Sequence, residues 1–129
     1  MLISRSKLNV KDNSGIIIAQ CIQAQRSKKS QKPCQIGDFL KASVKKGSSK
    51  LKLLKIKTTT SEKNLKNLVV FQTKKSLRRL DGSVIRFNSN SGIIVNERKI
   101  PVFKRVAGVV PLELKKTCSS ILNLAKNIY

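Results

Sequence analysis

The apolar and polar positions of the chain alternate mostly in short runs, which predicts strands rather than helices. Leu2, Leu8 and Val10 mark a first extended segment. Ile16 to Ile22 is a β-branched run without charge, which predicts a buried strand. Phe39, Leu40, Ala42 and Val44 are punctuated by Lys41 and Ser43, the pattern of a half-buried strand, and Leu51 to Ile56 resumes it. Val69 to Phe71 and Ile93 to Val95 are further apolar runs. Turn chemistry separates them at Lys11 to Gly15, Ile36 to Asp38, Asp81-Gly82 and Asn88 to Gly92, where Asp and Asn bond their own backbone and Gly accepts positive φ. Segments 25–35, 45–50 and 58–66 read as loops. Short strands with turn signals every dozen or so residues predict a closed or nearly closed β-barrel. The tail differs. Pro111 suits the start of one helical turn through Leu114. Ser119 or Ser120 can cap a short helix over Ile121 to Ile128, where Ile121, Leu124, Ala125 and Ile128 share a face that would pack on the barrel. The length fits one domain over residues 1–129, with barrel and ribbon in 1–110 and a helical part in 111–129.

One stretch departs from this pattern. After Val69, Val70 and Phe71 the chain turns basic at Lys74, Lys75, Arg78 and Arg79, reverses at Asp81-Gly82 and returns through Ser83 to Phe87. Both pleat faces of the first arm carry charge: Lys74 and Arg78 point one way, Lys75 and Arg79 the other. A strand with cations on both faces can bury neither in an apolar core. The physical solution is a hairpin whose base sits in a sheet and whose arm reaches into a polyanion. Arg86 alternates with Ile85 and Phe87, so it points away from the core.

Charge sharpens that expectation. Lys plus Arg is 28 against six Asp plus Glu, a net charge of +22. Such a chain repels itself without a polyanionic partner, and nucleic acid is that partner ahead of an anionic membrane. No apolar run approaches a membrane span, and the N-terminus shows no apolar signal core. Arg26, Lys28, Lys29 and Lys32 form a second basic segment, either a solvated loop or a second phosphate contact. Aromatic residues are sparse, and Phe39, Phe71 and Phe87 lie in apolar strand patterns. Recognition therefore rests on Lys and Arg contacts to phosphates rather than on base stacking. Histidine is absent, no two acids are close enough in sequence to suggest a carboxylate pair, and no phosphate-binding glycine motif occurs, so an enzyme is not expected. Cys21, Cys34 and Cys118 lie too far apart for a zinc motif; free thiols, no metal and no cofactor are expected.

The basic stretch also carries a resemblance. TKKSLRRLDGSVIRF is similar to the TKKGVRRPDGSVIRF-type signature of the universal large-subunit ribosomal protein fourteen family. LNVKDNSG at Leu8 to Gly15 resembles that family's opening LNVADNSG, Gly37-Asp38 with FLKASVKK resembles its next motif, and Pro101 to Lys115 resembles PIGTRIFGPVTRELR more weakly. The four matches fall in the family's order across residues 8–115. Ser76 and Leu80 stand where the signature has Gly and Pro, and Phe103, Lys104 and Ala107 stand where it has Gly, Thr and Phe.

The resemblance implies a mainly β fold: a five-stranded barrel with a projecting basic β-ribbon and a small helical C-terminal part. It implies a structural protein of the large ribosomal subunit that contacts large-subunit rRNA and neighbouring ribosomal proteins. It also implies a place at the subunit interface, with small-subunit rRNA across it and intersubunit bridges. By match, the RNA-contacting residues are Lys74, Lys75, Arg78, Arg79 and Arg86; Arg26 to Lys32 correspond in position and charge only. The segment resembling Lys104-Arg105 lies, in that family, where a ribosome silencing factor docks. The richness in Lys, Ile, Asn and Ser, with no presequence before the first motif, suggests an organelle-encoded mitochondrial protein, or otherwise one of an A/T-rich bacterium. The alternatives are a stand-alone nucleic-acid chaperone or architectural protein, a membrane-active cationic protein, and an enzyme.

Overall fold

A computed structural model of the chain describes residues 2–24, 33–48 and 65–129. Five strands close a barrel in the order β1 (Lys7–Val10), β2 (Ile16–Ala24), β3 (Phe39–Gly47), β4 (Leu65–Gln72) and β7 (Ser91–Val95). Neighbours run antiparallel except at the closure, where β1 and β7 lie parallel with Asn9 opposite Ser91 and Val10 opposite Gly92. Two short strands, β5 (Leu77–Arg78) and β6 (Val84–Ile85), form a separate ribbon between β4 and β7. The expected mainly β barrel with its ribbon is therefore present.

The barrel interior is filled from every strand: Leu8 and Val10, Ile16, Ala19 and Cys21, Leu40 and Ala42, Leu68 and Val70, and Ile94. Leu2 and Cys34 join this cluster, their backbones bridged by a bond from Cys34 N–H to Leu2 O of 2.7 Å. Leu2 thus stands outside β1, in an isolated bridge. Gly92 is required by close approach. A Cβ there would sit 2.6 Å from Leu8 Cδ1 and 3.1 Å from Leu68 Cδ2, inside the contact distance of carbon atoms.

A second core lies on the outer face of β4 and β7. Val69, Phe71, Ile93 and Val95 point out of the barrel and are covered by Val106, Val110, Leu114, Cys118 and Ile121 of the C-terminal layer. This explains why β7 is buried at every position. Among the described residues β2 has no such cover. The uncharged run predicts full burial, yet Ile17 and Ile22 are 43% and 47% exposed, because only the inward face of β2 has apolar partners.

Several sequence boundaries shift. β3 continues through Lys45 and Lys46, predicted as loop, because the facing end of β2 pairs with them: Ile18 opposes Lys46 and Ile16 opposes Gly47. β4 begins at Leu65, four residues before the apolar run, since Leu65 to Asn67 pair with Ser43 to Lys41. The strand pattern over 51–56 and most of the predicted loops at 25–35 and 58–66 fall outside the described residues.

The C-terminal part is only partly helical. A 3₁₀ helix spans Leu112–Lys116 behind Pro111, and α1 spans Ser119–Leu124. The helix predicted to Ile128 stops at Leu124, where Ala125 is extended. Residues Ala125–Ile128 become β9, parallel to β8 (Val106–Val110). β8 would otherwise leave a row of backbone groups without partners, and β9 satisfies them, continued by Leu112 N–H to Tyr129 O and Tyr129 N–H to Val110 O at 3.0 Å each. A lone short helix is marginal in water. Here Ile121 is buried, whereas Ile128 is 48% exposed and adds nothing to the predicted stripe.

Candidate nucleic-acid interface

The ribbon leaves the barrel through a polar joint. Gln72, the last residue of β4, is buried, and its amide accepts from Lys11 Nζ at 2.9 Å and donates to Val109 O at 2.8 Å. Thr73 is also buried; its hydroxyl donates to Lys75 O at 3.1 Å, and its carbonyl accepts from Phe87 N–H at 3.1 Å. Lys74 N–H donates to Asn90 Oδ1 at 2.9 Å. These bonds tie the outgoing arm to the returning one and interrupt the strand between Gln72 and Leu77. The single alternation of charge predicted along the arm is broken for this reason. Lys74 and Lys75 lie on the bent joint, and only Leu77-Arg78 and Val84-Ile85 form the ladder.

Within the ladder the faces are distinct. Leu77 opposes Ile85, which is buried, and Arg78 opposes Val84, which is exposed. Arg78 is therefore carried on the face away from the protein, and Arg86, next to buried Ile85, is exposed as well. The reversal is a loop of Leu80, Asp81 and Gly82. Gly82 takes φ +86°, while Leu80 and Asp81 do not enter the left-handed region, so this is a loop with one left-handed residue rather than two. Asp81 Oδ1 accepts from Ser83 N–H at 2.8 Å and Ser83 Oγ at 2.6 Å, and these bonds hold its carboxyl below the usual range.

Arg79 differs from its neighbour. Its Nε donates to Glu113 Oε1 at 2.6 Å, and its Nη2 reaches Glu113 Oε2 at 3.4 Å and Tyr129 O at 2.8 Å. The guanidinium lies 5.5 Å from the centre of the Tyr129 ring. The two side chains of the ion pair are 21% and 27% exposed. The hydrogen bond from Arg79 draws Glu113 below the ordinary carboxylate range and raises the arginine further. Arg79 is thus a clasp between ribbon and C-terminal layer, and its fork faces protein rather than solvent. Sequence reasoning missed Glu113 and Tyr129 as its partners. They stand 34 and 50 positions away along the chain, and no local spacing signals such a contact.

The other expected residues are scattered. Lys104 and Arg105 are exposed on the bend before β8, beside half-buried Phe103, which packs on the barrel core. Val106 bridges to Asp12, whose carboxylate also accepts from Ser14 N–H and Ile94 N–H, so this bend is held close to the first turn. Arg26, Lys28, Lys29 and Lys32 lie outside the described residues. Among the expected cations, the structure brings Lys74, Lys75, Arg78 and Arg86 together on one ribbon and gives each an exposed position.

Among the described residues no group of acids and cysteines could hold a metal ion, and no helix is long and apolar enough to cross a membrane. The arrangement offers exposed cations on one ribbon, which can neutralise phosphates and read the shape of a backbone. A family model described as Ribosomal protein L14p/L23e matches residues 1–129.

Proposed function

Since the chain belongs to the ribosomal protein L14p/L23e family and is a structural constituent of the large ribosomal subunit, we propose that its ribbon is the principal contact to large-subunit rRNA. The observation that carries this reading is the segregation of the two ribbon arginines. Arg79 is spent on Glu113 and Tyr129, while Arg78 is turned outwards with Arg86, on an arm that also exposes Lys74 and Lys75. The clasp fixes the arm, and the outward cations meet phosphates. The net charge of +22 supports the same reading, since it is neutralised only by a polyanion. Ribosomal RNA and ribosomal proteins are the partners that the family implies, and the family is not an enzyme family.

Finer roles follow from the same reading. The ribbon tip, with Leu80 and Val84 exposed, suits a neighbouring ribosomal protein. The opposite contribution, to intersubunit bridges and small-subunit rRNA, rests on the family resemblance. Lys104 and Arg105 form an exposed cation pair that suits an acidic silencing factor. The mitochondrial matrix is the proposed location, on composition.

The deciding experiment is binding of the purified protein to large-subunit rRNA fragments, with Lys74, Arg78 and Arg86 each replaced by Ala. Loss of affinity without loss of fold supports the ribbon contact. Unchanged affinity in all three variants excludes it.

A further inference from the structure

We propose that Lys11 is a further rRNA contact, its ammonium forming a phosphate-binding site on the barrel rim at the root of the ribbon. This rests on the reading that the ribbon meets rRNA, and it extends that surface to a residue outside the ribbon. Lys11 directly follows β1 and is half-buried. Its Nζ donates to Gln72 Oε1 at 2.9 Å. Gln72 is buried and its Nε2 is committed to Val109 O at 2.8 Å, so the amide oxygen is the end that faces the lysine. The Lys11 backbone is fixed as well. Its N–H donates to Gly92 O at 3.2 Å, and its carbonyl accepts from Ala107 N–H at 2.9 Å. A long, flexible side chain is thereby held at both ends, and little ordering remains to be done when a ligand binds.

What this ammonium lacks is an anion. It carries three donors, and the bond to Gln72 uses one. Among the described residues no carboxylate pairs with it. Asp12, next in sequence, turns Oδ1 to Ser14 N–H at 2.8 Å and Oδ2 to Ile94 N–H at 3.0 Å. A half-buried cation has lost part of its hydration, and a neutral amide compensates only part of that loss. A phosphate oxygen supplies negative charge and acceptor together. Gly108 leaves room for it. This exposed residue takes φ +100°, and a Cβ on it would stand 3.7 Å from Lys11 Nζ and 3.3 Å from Gln72 Nε2. Bare backbone therefore flanks the ammonium on that side.

Its place in the fold makes the phosphate one of an RNA backbone. Lys74, the first ribbon cation, stands two residues beyond Gln72. A strand of RNA lying along Arg78, Arg86 and Lys74 reaches Lys11 at the ribbon's root. Lys11 also stands where the signature LNVADNSG has alanine, so the contact belongs to this chain's own sequence.

The test measures the affinity of the full chain for large-subunit rRNA fragments over a range of salt. Lys11→Met keeps the apolar stem and removes the charge, whereas Lys11→Arg keeps the charge. Lys11→Met should lower the slope of log affinity against log salt by about 1, and Lys11→Arg should keep the parent slope. Lys11→Met should lower the slope by about 1 again when added to Lys74→Ala, Arg78→Ala and Arg86→Ala together. If that last step changes nothing, Lys11 acts only by placing the ribbon and the site is overturned. An unchanged slope in Lys11→Met beside a lowered slope in the ribbon variant overturns the site and leaves the ribbon reading standing. A flat salt dependence in the parent overturns both. In the parent chain, the same rRNA should also protect Lys11 severalfold from acetylation by N-hydroxysuccinimide acetate, read by peptide mapping. Equal acetylation with and without rRNA overturns the site whether or not Lys11→Met folds.

Discussion

Barrel and ribbon are held by different physics. The barrel and its C-terminal cover rest on two apolar clusters drawn from strands far apart in sequence. Between Lys74 and Phe87, Ile85 alone among the large apolar side chains is buried. The ribbon instead depends on a polar joint at Gln72, Thr73 and Asn90 and on the Arg79–Glu113 clasp. Apolar burial involves no charge to screen, whereas exposed ion pairs weaken as salt is added. The molecule therefore combines a body held by apolar contacts with an arm held by polar and charged contacts that salt weakens.

The comparison can be broken first by salt. With on the order of 6 to 10 phosphate contacts, affinity for isolated rRNA should fall roughly 10³ to 10⁵-fold between 50 and 200 mM salt, while the melting temperature of the free protein rises as salt screens the repulsion within its +22 charge. A flat binding curve would mean that phosphates do not dominate. Next in size, Leu40→Ala removes a fully buried side chain from the interior and should cost about 2–5 kcal/mol in chemical denaturation. Gly92→Ala should cost about 1–3 kcal/mol by overpacking against Leu8 and Leu68, with the ribbon amides exchanging as before.

Smaller effects belong to the arm. Replacing Lys74, Arg78 and Arg86 together by Ala should leave circular dichroism unchanged and lower the slope of log affinity against log salt by about 2 to 3. Glu113→Gln should leave the melting temperature nearly unchanged but raise hydrogen exchange severalfold at the Arg79 and Gly82 amides, which close the ribbon turn. The pH dependence has the same origin. Because Arg79 lowers the Glu113 pKa in the folded state, the clasp is fully present above the ordinary carboxylate range. It is lost as pH falls through the lowered value. Ribbon exchange that does not rise on acidification would show that the clasp does not set the arm's position.

Much of this fold was legible in the residues. Alternation located β1 and β3, an apolar run located β7, and the cations at 74–79 marked a segment unable to join a core. What could not be read was tertiary. Alternation separates Arg78 from Arg79, but which of the two faces meets protein is set by where Glu113 and Tyr129 arrive. The helical spacing of Ile121 to Ile128 was genuine, but the free edge of β8 outweighed it beyond Leu124. The uncharged run of β2 resembled that of β7, yet only β7 receives a cover on its outer face. For the interface, the outward cations of the ribbon followed from pattern, whereas the division of labour between its two arginines required coordinates.

The parallel pairing of Asn9 and Val10 with Ser91 and Gly92 also sets a kinetic order. Strand β1 leaves the ribosome tunnel early, but its partner across the seam is made when most of the chain has been synthesised. Until then the barrel is an open sheet with β1 and β4 as bare edges, and loop closure between such distant segments is slow. A nascent chain of this protein thus spends most of its synthesis without a closed core. Chains stalled before Asn90 should leave the Asn9 and Lys11 amides unprotected, and release past Val95 should protect them in a single late step.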